Sequence, residues 1–157
     1  MISRASILKH PIHPMLVPFP IGLWVFSLLA DIIFMAGGGS AWNDTAYYTM
    51  AGGIIGALLA AIPGLIDFFS WTNPRVKIIG MTHLIINLSL VVLYAINLWF
   101  RTANIGGFIL PFLLSILGIL LLGVSGWLGA EMVYVHGTAV SQKTGQPQEE
   151  MRRKIAA

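Results

Sequence analysis

Four histidines carry most of the chemistry this chain could perform: His10, His13, His83 and His136. There is no cysteine, which excludes disulfides, thiolate metal sites and cysteine nucleophiles and leaves imidazole, carboxylate, thioether or backbone groups to hold any cofactor. Neutral imidazole with carboxylate suits iron or zinc, and two imidazoles on facing helices suit the iron of a b-type haem. His10 and His13 stand in His-x-x-His spacing inside His10-Pro11-Ile12-His13-Pro14, a spacing that permits joint ligation. Asp67 and Glu131 are the carboxylates expected at similar depth. Hydrolytic chemistry lacks its parts, because no nucleophile motif is present and Gly37-Gly38-Gly39 reads as a loop rather than a phosphate cradle. No catalytic residue is assigned.

The elements that must position these residues are membrane spans. Of 157 residues, 57% are hydrophobic and 10% charged, a composition that lipid solvates better than water. A hydrocarbon core of about 30 Å needs about 20 apolar residues in a helix that satisfies its own backbone. Stretches 15–36, 47–70, 78–100 and 108–135 meet that requirement. They predict an all-α integral membrane four-helix bundle made of two helical hairpins, preceded by a Pro/His-rich segment over 1–14 and followed by a polar tail over 137–157. The repeated prolines Pro11, Pro14, Pro18 and Pro20 predict a stiff, extended entry that is not regular helix. Arg4 and Lys9 before the first apolar run resemble a signal peptide, but the run continues too far, so it reads as a retained first helix.

Four crossings place the N and C termini and the 71–77 loop on one face. Arg4, Lys9, Arg75, Lys77, Lys143, Arg152, Arg153 and Lys154 fall on that face, against Arg101 alone on the other. The positive-inside rule makes the first face cytoplasmic. Basic residues at segment ends also account for the net charge of +3 through the lipid surface, not nucleic acid. All four histidines collect at that cytoplasmic end beside Asp67 and Glu131.

Helices associate in lipid through small and polar residues. Gly52, Gly56, Ala60 and Gly64 form a ridge on the second span, which offers packing within the chain or between copies in a homo-oligomer. His83, Asn87, Leu90, Tyr94 and Asn97 form one stripe on the third span and should point into the bundle. Ser115, Gly118, Leu122, Ser125, Gly129, Met132 and His136 continue the pattern on the fourth. A faint internal repeat pairs His13 and Asp67 of the first hairpin with His83 and Glu131 of the second.

The run from His10 to Gly22, the Gly64-Leu65-Ile66-Asp67 element, and Gly126-Trp127-Leu128-Gly129-Ala130-Glu131 through His136-Gly137 resemble a family of small bacterial membrane proteins, domain of unknown function 2231. The resemblance implies a four-span bundle in a bacterial cytoplasmic (inner) membrane and supplies no established activity. Relatives often carry a further histidine where this chain has Pro18. Some are joined to Rieske-type iron–sulfur domains, which implies an electron-transfer setting.

Two functional classes are consistent with these residues. In the first, haem is held by His83 and His136, with His13 as a further ligand, or a transition metal ion, iron or zinc, is held by His10, His13, His83 and His136 with Asp67 or Glu131, in a redox-linked role. In the second, the chain is a cofactor-free accessory subunit of a larger membrane oxidoreductase complex, its histidines and acids serving as interhelical hydrogen-bond partners. Proton carriage through Asp31 and Asp67 is the remaining expectation, and the two acids fall near opposite faces.

Overall fold

A computed structural model of the chain describes residues 3–140. The polar tail and its basic residues from position 141 onward lie outside the described residues. A short helix α1 (Ile12–Leu16) leads into α2 (Pro18–Met35), followed by α3 (Ser40–Ser70), α4 (Pro74–Thr102) and α5 (Ile109–Ala130). A single π-helical turn, Glu131–Val135, closes the last span. Four segments are long and apolar enough to cross a membrane, α1 and α2 counting as one. The fold is therefore the all-α bundle of two hairpins that the apolar runs predict, with both ends of the described chain on one side, here called the proximal end.

Two helices start earlier than hydropathy alone suggests. α3 begins at Ser40 because Gly39, at φ +80°, turns the chain immediately before it, and the polar residues 43–45 then project beyond the apolar stretch. α4 begins at Pro74, where the side chain of Asn73 accepts hydrogen bonds from the amides of Arg75 and Val76 and proline at the first helical position gives up a donor that has no partner anyway.

The proline run corrects the expectation of a wholly extended entry. His10 and Pro11 are extended and pair with Ser6 and Ile7 in a two-stranded hairpin, but His13 lies on the first turns of a helix. Pro14, Pro18 and Pro20 all fall where few helical donors are needed, so the chain winds instead of staying straight. The hairpin turn is made by Leu8 and Lys9, both left-handed without being glycine.

In cross-section α2 neighbours α3 and α5, and α4 neighbours the same two helices. Hence α2 and α4 face each other across the bundle's diagonal. Trp24, Met50, Leu90, Tyr94 and Leu122 form the core along this line. Outward-facing Ile55, Leu88, Leu120 and Val124 remain exposed, as lipid-facing side chains should be. The ridge on α3 is occupied within the chain: Gly52 lies against Leu23, Gly56 against Pro20, and Gly64 against the ring of His13.

Candidate functional site

The imidazole of His13 reaches from α1 to α3, where Nδ1–H donates to the carbonyl of Ala60 at 2.7 Å. Gly64 leaves space for the ring, since a Cβ at that position would stand 2.9 Å from Nδ1.

The second hairpin repeats this construction. His83 Nδ1–H donates to the carbonyl of Ser125 at 3.0 Å, and Gly129, four residues on, lies beneath the ring. A carbonyl can only accept, so both imidazoles carry their proton on Nδ1 and present Nε2 with its lone pair. Neither Nε2 has a hydrogen-bond partner among the described residues, and Tyr94 Oη is the sole sealed, unpartnered side-chain atom there. The two rings lie within electrostatic reach of each other.

The repetition runs the length of the bundle. His13 and His83, Trp24 and Tyr94, Ser27 and Asn97, and Asp31 and Arg101 are each separated by 70 residues on α1–α2 and α4. Their partners on α3 and α5 keep an offset of 65: Ala46 and Pro111, Gly53 and Gly118, Ala60 and Ser125, Gly64 and Gly129. Ser27 donates to the carbonyl of Ala46 at 2.8 Å, as Asn97 donates to that of Pro111 at 2.9 Å. Gly53 makes room for Trp24 as Gly118 does for Tyr94. The halves are thus related by an approximate two-fold axis along the bundle, a parallel repeat. Trp24 and Tyr94 stack on one another across the diagonal, centroids 4.3 Å apart. Farther from the histidines, Arg101 grips Asp31 with both terminal nitrogens.

Residues 9–142 match the family model described as predicted membrane protein, DUF2231. The chain belongs to this family. No curated protein and no solved structure matches it.

Within this DUF2231 domain the other expected site residues stand apart from the pair. Asp67 is buried and already engaged: Ser3 Oγ donates to its carboxylate at 2.7 Å and the amide of Ala5 does so at 3.0 Å. It anchors the N-terminal hairpin. His10 is exposed, its Nδ1 on the carbonyl of Leu8 at 3.0 Å. Glu131 begins the π turn and makes no side-chain hydrogen bond or ion pair among the described residues. The amide of His136 donates to the carbonyl of Glu131, five residues back, and this wider turn rotates the succeeding residues by about 100°, the angle of one extra residue. That shift takes His136 off the stripe of Ser125, Gly129 and Met132. Among the described residues no cluster of three or more potential ligands is present. A groove of about 450 Å³, lined by Leu88, Ser89, Val92, Leu93, Ile96 and Leu114, lies on another part of the surface and holds none of these groups.

The DUF2231 repeat also corrects the pairing of carboxylates. At an offset of 65, Asp67 corresponds to Met132 and not to Glu131, so the recurring acceptors are backbone carbonyls. Residue types alone did not disclose the carbonyl partners or the Asp31–Arg101 pair. Equal offsets between complementary residues, not identical ones, are the signal that marks the second.

Proposed function

We propose that this membrane protein holds a redox-linked cofactor, b-type haem or a transition metal ion such as iron or zinc, between His13 and His83 at the proximal end, and that this end faces the cytoplasm of a bacterial inner membrane. One observation carries the reading: both imidazoles are fixed through Nδ1–H on a carbonyl and leave Nε2 free. Hydrogen bonding of the distal nitrogen is how protein-bound imidazoles are oriented and made more basic toward a metal. Two ligands on the first and third spans, with no cluster of three or more potential ligands among the described residues, favour haem over a tetrahedral ion, since zinc takes three or four protein ligands. When bound, the group would supply a one-electron couple. The chain supplies two oriented donors, one at the head of the first span and one on α4.

Arg4, Lys9, Arg75 and Lys77 at the proximal end support the orientation through the positive-inside rule. The accessory-subunit reading rests on the same histidines acting as interhelical glue. An absorption spectrum and elemental analysis of one detergent-purified sample separate the two. A Soret band or stoichiometric metal, lost in a His13→Ala, His83→Ala double variant, is expected. An intact bundle with neither, copurifying with an oxidoreductase, would overturn the cofactor reading.

A further inference from the structure

The repeat provides an internal control on how each histidine is held. Both half-sites have the imidazole, the carbonyl and the glycine. At equivalent registers the first has Val17 and Ala60, where the second has Asn87 and Ser125. Those substitutions add a polar brace. Ser125 Oγ lies 3.2 Å from His83 Nδ1, sharing its proton with the Ser125 carbonyl. Asn87 Nδ2 donates at 2.7 Å both to Ser125 Oγ and to the carbonyl of His83. Every member of this brace belongs to a long helix.

Among the described residues the His13 imidazole has one hydrogen bond, to the carbonyl of Ala60. It rides on the short helix α1, which Val17 joins in helical conformation to α2, behind the hairpin of Ser6–Ile7 and His10–Pro11. The carbonyl of Ala5 accepts from the amide of Ile12 at 2.9 Å, which ties that helix to the strap before it. Among the described residues, the polar tether from the strap into the bundle is Ser3 and Ala5 on the Asp67 carboxylate. Asp67 lies one turn beyond Gly64, on the helix against which His13 rests.

We propose that the two imidazoles are unequal by construction: His83 is the anchoring ligand, and His13 is a detachable ligand carried on a strap that Asp67 latches. The inference rests on the proposed cofactor site and takes the cofactor to be haem. With haem bound, release of His13 would break one dative bond from its Nε2 and let a small neutral ligand form another in its place. No electron or proton moves in that exchange. Asn87 and Ser125 are positioning residues for His83, while Ser3 and Asp67 set how readily His13 leaves.

The test titrates ferric haem b into the full chain in detergent micelles, then reduces it and mixes it with carbon monoxide. His83→Ala should weaken haem retention by about tenfold or more, the scale of lost ligand support. His13→Ala should retain haem and change its spectrum from six-coordinate low-spin to five-coordinate. Ser3→Ala should speed carbon monoxide association without changing haem retention. Asn87→Leu with Ser125→Ala, which spares both imidazoles, should lower retention while leaving the low-spin spectrum of the bound fraction, and it keeps the proposal testable if His83→Ala does not assemble. Equal loss of haem from the two histidine variants, or an unchanged association rate in Ser3→Ala, would overturn it. Uptake of a metal ion without haem would overturn this inference and leave the cofactor reading standing; uptake of neither would overturn both.

Discussion

Trp24 and Tyr94 stack across the bundle's diagonal with their rings 13° from parallel, and they occupy the same register of two repeated hairpins. The indole donates to the carbonyl of Met50 at 3.3 Å. The phenol, lying over Gly118, has no partner among the described residues. Removing an unsatisfied buried hydroxyl relieves a desolvation cost of about 1–3 kcal/mol. Tyr94→Phe should therefore raise the thermal midpoint in detergent, and a clear loss of stability would show that the hydroxyl has a partner.

Arg101 and Asp31 meet where α4 and α2 approach each other at the distal end, with Asn97 accepting from Arg101 Nε at 3.2 Å. Their side chains are 8% and 0% exposed, so neither charge can be left alone cheaply. Arg101→Leu or Asp31→Leu alone should cost about 3–5 kcal/mol, and the double variant much less. A thermal-unfolding double-mutant cycle reads the difference. Additive losses would show that the two side chains act independently.

Gly64 and Gly129 are equivalent in register but not in tolerance. A Cβ on Gly64 would stand 2.9 Å from a ring held by a short hydrogen bond, whereas one on Gly129 would meet His83 at an ordinary 3.5 Å. Alanine in a helix gains up to about 1 kcal/mol over glycine. Gly129→Ala should thus be neutral or stabilising, and Gly64→Ala destabilising, by thermal unfolding measured side by side. The reverse order would contradict the placement of His13.

Asp67 holds the N-terminal strap through Ser3 and Ala5. Asp67→Ala leaves those donors without their acceptor and frees the segment containing Arg4 and Lys9. Limited trypsin digestion should cut at these positions several-fold faster in the variant, while the helical circular dichroism signal stays near wild type. Unchanged cleavage would mean that the strap is held by something else.

The absence of cysteine makes the topology directly measurable. Single cysteines introduced at Thr72 and Val140 should label from one side of sealed vesicles, and one at Gly107 from the other. The positive-inside rule further predicts that the first pair is cytoplasmic. Labelling of Thr72→Cys and Val140→Cys from opposite sides would break the four-crossing arrangement.

Much of the scaffold was legible because membrane solvation imposes simple rules. Apolar length marked the spans, and the stripe of His83, Asn87, Leu90, Tyr94 and Asn97 marked the inward face of α4, since its steps of three and four follow the helix. The site was half legible. The histidines were evident and their shared end followed from the count of crossings. Their partners were not, because the carbonyls of Ala60 and Ser125 belong to the backbone and leave no residue type to read. The repeat was faint for a related reason: beside its recurring histidine and glycines, two of its equivalent positions hold complementary pairs, indole with phenol and carboxylate with guanidinium, whose likeness appears once they touch.

The number of spans, the common side of the two ends of the described chain and the end of the bundle that receives the histidines are thus written in the amino-acid order, because hydrophobic length and helical period are local properties. Which groups meet is a matter of packing. Packing set Arg101 on Asp31, gave Asp67 to the N-terminal strap, and turned His136 off its stripe with one wide helical turn. It also brought His13 level with His83, because carbonyl acceptors and the space left by a missing Cβ exist only once helices are packed.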